Sequence, residues 1–512
     1  MTDALPTSSH GLDEQSPLLP RHPAPSTPKA KWSPAAISYL FLLVIVVGVA
    51  ADAVSTPALT RIYESIYCRR YFAEHDPSLI GRDGRDSVPE ELCKVPKVQG
   101  EVAMLKAWQT FFDAVGGISF AIPWGWYADS RGRKPVLLLT TYSLLARAIW
   151  IQIVCLCWKT LSLRLVWLSA IHSVSGGAPV FSALAYVVIA DVTPQQERGA
   201  MFFRFGASQL FATFISSPLA AFLMRLGLFV PTIAGTVFYG LMCALVSLIP
   251  ETKGYSSTKP PSRAGPFPPV ESSTMRERIR KIPAHVRDSA AFLWSDRRIS
   301  ILVLVYSVHS LVIDANELLI QYISAHFAVS LSHATLVLAF QSALIIVHLL
   351  FVLPAITHFL TARLGMAVQL KDLYLARWSA LFLSLGLLGI GIAPTLLLLI
   401  TAIPFEVAGW GFTFVVRSLM TSFVESHHVA RLYTVLTLVD TAVLMVGSPV
   451  TAALFDRGMS SGDGSTAGLP YVVCSLLVAV FGVLVLFVRI EGELPEEAVD
   501  GDEVTRREDG HV

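Results

Sequence analysis

Gly125-Trp126-Tyr127-Ala128-Asp129-Ser130-Arg131-Gly132-Arg133-Lys134 decides the fold. The stretch lies between two apolar runs, at about 102–126 and 135–157, each of the ~20 residues needed to cross a bilayer. Gly125 and Gly132 permit a tight turn and close helix approach. Arg131, Arg133 and Lys134 mark a cytosolic connection, where basic residues concentrate. Asp129 is a carboxylate suited to the N-terminus of a neighbouring helix. A plain basic turn would need neither Gly125 nor Asp129.

Composition points the same way. The chain is 53% hydrophobic and 15% charged, with mean hydropathy +0.58, whereas soluble domains carry about 25% charged residues. An all-α membrane protein is expected. The net charge of +1 selects no class of partner. The lipid bilayer and a small-molecule substrate are the expected partners, with no nucleic acid.

Further apolar runs predict spans near 36–58, 163–189, 200–223 and 228–249, then 299–325, 332–358, 377–393, 395–420, 432–455 and 469–489. Ala393-Pro394-Thr395 splits a nearly continuous apolar stretch, because proline cannot continue a helix without cost. The domain reading is a disordered cytosolic N-terminus (1–35), an N-terminal six-helix bundle (36–249), a central cytosolic loop (250–298), a C-terminal six-helix bundle (299–490) and an acidic cytosolic tail (491–512). Residues 1–35 lack the character of a secretory signal, so the first apolar run is expected to act as an uncleaved anchor. Within the central loop, Met275–Leu293 has the pattern of a short helix lying on the membrane face. With both termini cytosolic, 26 of the 39 Lys and Arg residues fall on the cytosolic side and 11 on the other, which supports that orientation.

The ten-residue stretch, read as G-x-x-x-D-x-x-G-R-K, resembles the signature loop between the second and third helices of the major facilitator superfamily. Asp191-Val192-Thr193-Pro194 with Arg198 after the fourth helix, and Pro250-Glu251-Thr252 after the sixth, are similar to further marks of that family. The resemblance implies twelve transmembrane helices in two pseudo-symmetric six-helix bundles. It implies a cytosolic gate built on Gly125, Asp129, Gly132, Arg133, Lys134, Asp191 and Arg198. Asp129 would meet the start of the eleventh helix, near Arg431–Thr434, and Arg133 would pair with Asp191. Leu168 to Gly176 resembles the family's L-x-x-x-R-x-x-Q-G motif, with His172 in place of arginine and Ser175 in place of glutamine. Lys371-Asp372-Leu373-Tyr374-Leu375-Ala376-Arg377 occupies the second-half equivalent of the signature loop. Together with the large first outer loop, it is similar to fungal relatives of the proton-coupled folate transporter group. The fifth helix reads Ser216-Ser217-Pro218-Leu219-Ala220-Ala221, without the G-P-x-x-G-G element of drug:proton antiporters.

Charged side chains inside a membrane are costly and mark function by default. The family fold lines its central cavity with the first, fourth, seventh and tenth helices. Those carry Asp52, His172, Asp314 with Glu317, and Glu406, the expected proton-coupling or substrate residues. Asp52 and Asp314 each stand about 15 residues, or roughly 22 Å, into their helices, and are expected to face each other across the cavity. Ser310, Asp314, Glu317 and Gln321 form one helical stripe. Asp113, Arg147 and Asp440 are expected in intramembrane ion pairs or in gating.

Cys68 and Cys93 share the large outer loop, and an oxidising compartment favours a disulfide between them. No Cys/His spacing suggests a metal, and no cofactor is expected. Glu14-Gln15-Ser16-Pro17-Leu18-Leu19 is similar to an acidic dileucine sorting signal, with Glu14, Leu18 and Leu19 as its elements. The expected location is the plasma membrane or a vacuolar or endosomal membrane.

The reading is a monomeric secondary active transporter of a small organic solute. It works by alternating access with proton coupling, and slightly favours efflux of drug-like or secondary-metabolite compounds. Proton-coupled uptake of an organic anion or nutrient, and a non-transporting membrane sensor, stay open. An enzyme is disfavoured, since no nucleophile–base pair or phosphate-binding glycine loop appears.

Overall fold

The computed structural model describes residues 32–81, 88–193, 198–252, 297–424, 429–461 and 466–488. The dileucine residues, Met275–Leu293 and the acidic tail lie outside these, as does the side chain of Arg198. Twelve long helical segments follow one another: α1 Pro34–His75, α2 Pro96–Arg131, α3 Arg133–Leu156, α4 Leu163–Val192, α5 Arg198–Leu226, α6 Val230–Leu248, α7 Arg297–His326, α8 Leu331–Arg363, α9 Val368–Ile392, α10 Leu396–Ser422, α11 Val429–Ser460 and α12 Leu469–Leu486. Eleven of them are long and apolar enough to cross a membrane. The exception is α2, where Gln109, Asp113, Gly116 and Gly117 dilute the apolar residues. The segment Lys371–Arg377 is the start of α9, not a loop.

In a bilayer, helices associate through close packing and internal hydrogen bonds, because lipid tails already solvate apolar side chains. In the N-terminal half, α1 packs on α5 and α6, and α3 on α6. Phe41, Val44, Val136, Leu184, Val188 and Val246 fill the space between them. In the C-terminal half, α9 packs on α10 and α12, over a core that includes Leu319, Ile323, Leu387, Ile403 and Tyr471. The halves join along two seams, α2 against α11 and α5 against α8.

The fourth span is not the continuous α-helix that its apolar run predicts. Residues Leu163–Ser175 wind as a 3-10 helix, and an α-helix resumes at Gly177–Val192. Between them Gly176 has φ +98° and Gly177 φ +53°, left-handed values that favour glycine. Pro179, which brings no N–H, follows the break. The carbonyl of Val174 accepts from the indole Nε1 of Trp124 at 2.8 Å. Gly116 of α2 lies so close to the break that a Cβ there would meet the Ser173 Cβ at 2.6 Å. The tenth span is also interrupted, between helices Leu396–Ala408 and Phe412–Ser422.

Candidate functional site

Cys68 and Cys93 are disulfide-bonded and buried at one end of the molecule. The bond holds the end of α1 against the segment that carries Glu90 and Lys94. Lys94 donates to Glu64 at 2.7 Å and, across to α7, to the Ser324 hydroxyl at 2.6 Å. Glu90 accepts from the backbone N–H of Leu331 at 2.7 Å, at the first turn of α8, where a carboxylate satisfies an otherwise orphan donor. Gln321 of α7 donates to the Gln99 carbonyl at 2.7 Å. These hydrogen bonds tie the two halves together at the disulfide end.

Deeper in, a charged cluster spans the halves. Arg147 of α3 donates to Asp113 of α2 at 2.7 Å, and Ser173 donates to the other Asp113 oxygen at 3.3 Å. Arg147 also acts electrostatically on Asp52, which accepts from the Tyr239 hydroxyl at 3.5 Å. His172, half-buried on the 3-10 segment, lies within the field of Arg147 and Asp113. From the other half, Glu317 is exposed and shares its field with Lys106, Asp52 and Asp314. Arg147 thus acts on Asp113 and Asp52, and Lys106 on Glu317 and Asp314.

Asp314 does not face Asp52. It is 4% exposed and accepts from the Thr451 hydroxyl of α11 at 2.5 Å. The reason is helical geometry backed by α11: Ser310 and Asp314 turn to polar groups of that helix. Glu317, three residues on, turns away and takes the place expected of Asp314.

Glu406 is fully buried. Its carboxylate accepts from Trp410 Nε1 at 2.5 Å, Gln341 Nε2 at 2.9 Å and Asn316 Nδ2 at 3.1 Å. Three donors are what a buried carboxylate requires. A Cβ at Gly386 would meet the Glu406 backbone nitrogen at 2.1 Å, so only glycine lets α9 approach here. Near the interruption of α10, His309 packs edge-on to Trp410, ring centroids 6.1 Å apart. Buried His309 Nδ1 and His348 Nε2 lack hydrogen-bond partners among the described residues.

Asp440 accepts from Tyr306 at 2.7 Å, from Ser310, and from Arg417 at 3.5 Å. Arg417 belongs to α10 and stands over the Tyr306 ring, 5.1 Å from its centroid, so that it offsets the Asp440 charge.

At the other end of the molecule, Arg133 binds both Asp129 and Asp191, the latter at 3.3 Å. Gly132 has φ +120° and turns the chain from α2 to α3. The carboxylate that caps α3 is Glu251. Its oxygens accept from the backbone N–H of Arg133 at 2.8 Å and of Lys134 at 3.1 Å. Lys134 Nζ donates to the Ser247 carbonyl at 2.7 Å. Gly125 has open space where a Cβ would stand, so no close helix approach explains it. Of the stretch at the start of α11 expected to meet Asp129, the side chains of Arg431, Tyr433 and Thr434 lie outside the described ones, and Leu432 is buried in the C-terminal core.

A family profile, Major Facilitator Superfamily, matches residues 103–416. The chain belongs to the major facilitator superfamily. Over 465 residues it is 33% identical to the MFS-type transporter aprT of Aspergillus flavus, covering 88% of each chain. It is 28% identical to the MFS efflux pump atnC of Emericella nidulans, covering 96% of this chain and 95% of that one. Among solved structures, the nucleoside transporter NupG aligns with TM-score 0.59 at 12% identity, over 88% of this chain and 98% of NupG. That likeness shows the fold alone. The protein is a multi-pass membrane transporter of this superfamily.

Sequence reasoning missed several residues that the structure brings to these clusters. Glu251 was seen only as part of a closing motif. Lys106 was absorbed into an apolar run. Asn316, the only asparagine in the chain, and Gln341 are uncharged, so a search for intramembrane charge passed over them. A search for any polar side chain at helical spacing from a carboxylate would have found Trp410, four residues after Glu406.

Proposed function

We propose that the protein exports a small organic solute by alternating access, with protons moving the other way. The reading rests on Asp52 and Glu317, exposed carboxylates from opposite halves that lie within electrostatic reach of each other, with Lys106 Nζ 3.5 Å from the Glu317 carbonyl. Net negative charge is costly in a low-dielectric space. Asp52 and Glu317 are therefore read as taking up a proton when closed from water and releasing it when wetted. Each change of access then alters proton occupancy, which is what coupling requires.

The disulfide end is read as the outer gate, held shut here by Lys94, Glu90 and Gln99. Both termini are read as cytosolic, with α2 as the twelfth span. The solute lies near the midplane, where the C-terminal half offers His309, His348 and Trp410 beside the interruption of α10. Unpartnered imidazole nitrogens suit a solute with hydrogen-bonding groups on a partly apolar frame. Direction rests on the relatives: atnC and ustT, the latter 26% identical over 82% of each chain, are named efflux pumps. The protein is read as a monomer of the plasma membrane or a vacuolar or endosomal membrane.

The test is solute flux in proteoliposomes with and without an imposed pH gradient. Export predicts flux against the proton gradient, from the face of the Asp129 loop. Flux in the same direction as protons would replace this reading with an uptake symporter. No flux for any solute would leave a sensor.

A further inference from the structure

Two cavities meet on the N-terminal half. One, of about 330 Å³, is polar and lined by Tyr67, Arg70, Glu74, Lys97, Glu101 and Arg164 among others. The second, of about 660 Å³, is apolar. It runs between α2 and the 3-10 segment of α4, past Phe112, Val115, Ser119, Leu168 and Ile171. Ser162 and Arg164 line both. The two are therefore one depression with a polar end and an apolar end.

The apolar walls are exposed: Phe112, Val115, Leu168, Ile171 and Val174 all face out of the protein. In a multi-pass transporter such a face meets lipid. Trp167 lines the apolar cavity, and Trp158 and Trp150 bond to residues next to or at the polar one. Trp158 lies against the Arg69 guanidinium, 5.1 Å from its ring centroid. Trp150 donates to the Leu165 carbonyl at 2.9 Å and Trp167 to that of Leu105 at 3.0 Å. Tryptophan gathers at the depth of lipid headgroups.

We propose that this depression binds one membrane glycerophospholipid, with its phosphodiester at Arg164 and Arg70 and an acyl chain along the groove between α2 and α4. The groove exists because the 3-10 winding of α4 and the small residues Gly116, Ser119 and Ala170 leave the two helices unfilled. Arg70 donates to the Trp158 carbonyl at 3.2 Å, and Arg164 bonds the Tyr67 hydroxyl. Each guanidinium has further N–H donors in a planar fork that suits phosphate oxygens. Three cations face two carboxylates in the polar end, a net charge of +1 that complements one phosphodiester. A surface that merely contacts bulk lipid needs no arginine pocket at the end of its groove. The site also abuts the break in α4, since Ile171 and Val174 belong to the 3-10 segment that carries His172. An acyl chain there bears directly on that segment.

The test is native mass spectrometry of the delipidated full-length protein, titrated with dioleoylphosphatidylglycerol. Dioleoylglycerol supplies the same chains without phosphate, and glycerol phosphate supplies the headgroup without chains. The phospholipid should be retained about fivefold more tightly than dioleoylglycerol, as expected for about one arginine's share of headgroup attraction. Glycerol phosphate should not bind. Arg164→Gln should reduce phospholipid retention to the level of dioleoylglycerol. Ser119→Trp, which fills the groove and leaves every charge in place, should weaken both lipids, and decides alone if Arg164→Gln misfolds. Equal retention of the two lipids, binding of glycerol phosphate as tight as the phospholipid, or unchanged phospholipid binding in folded Ser119→Trp would overturn the proposal.

Discussion

Arg147 of α3 donates a 2.7 Å hydrogen bond to Asp113 of α2, and the same guanidinium lies in the field of Asp52 on α1. One cation therefore holds three helices of the N-terminal half in register. Among the described residues, removing it leaves Asp113 with only the Ser173 hydroxyl and Asp52 with only the Tyr239 hydroxyl as donors. Breaking a fully buried pair costs about 3–5 kcal/mol. Here the side chains are 28% and 23% exposed, so Arg147→Gln should cost about 1–3 kcal/mol after solvent screening. Asp113→Asn in the same protein should recover part of that loss. A double-mutant cycle on thermal unfolding in detergent checks this, and strictly additive losses would mean the pair is not coupled.

The Glu251 carboxylate bonds two backbone N–H groups at the start of α3, where the helix dipole favours negative charge. Glu251→Ala should cost about 1 kcal/mol, as loss of a helix cap does. It should also loosen Arg133 from Asp191, because the cap fixes the backbone of Arg133. Cysteines placed at Ser130 and Val192, beside the two carboxylates and leaving both in place, would report the loosening by a changed crosslinking rate. A rate equal to that of the parent protein would contradict the link.

The disulfide closes a loop between residues 25 apart, which in the chain-entropy model is worth about 3 kcal/mol. Cys68→Ser with Cys93→Ser should lower the thermal midpoint. It should also weaken the outer seal, because Glu90 and Lys94 reach α8 and α7 from the tethered segment. Faster labelling of a cysteine placed at Ser324 would show it. Unchanged labelling would separate the disulfide from the gate.

Gly176 has a left-handed backbone, and a Cβ there would meet the Val180 side chain at 2.7 Å. Gly176→Ala should therefore cost about 1–2 kcal/mol from the backbone term alone. It should also bias α4 toward a continuous helix. Deuterium exchange over 163–179 reads the change directly: slower exchange is expected, and exchange equal to the parent would count against it.

The fold was legible because bilayer thickness fixes how long an apolar run must be, and the Gly125–Lys134 stretch carries a rare combination of residue types. The interruption of α4 was not read, although Gly176, Gly177 and Pro179 spell it out. Hydropathy alone cannot tell a 3-10 turn from an α-turn. Of the site, the carboxylates were visible as costly charges, but their partners were not. Whether Asp314 or Glu317 turns toward Asp52 depends on which helix stands behind α7. Sequence spacing within a single helix contains no such information.

Proton movement and solute export are proposed to share the pair of Asp52 and Glu317. The most direct measurement offers proteoliposomes an extract of cells that overproduce the transporter, and identifies by mass spectrometry the solutes that cross. At least one solute should accumulate against its own gradient only while a pH gradient is imposed. A protonophore should abolish the accumulation, and Glu317→Gln should do the same while leaving exchange of that solute intact. Accumulation that survives both the protonophore and Glu317→Gln would contradict the account.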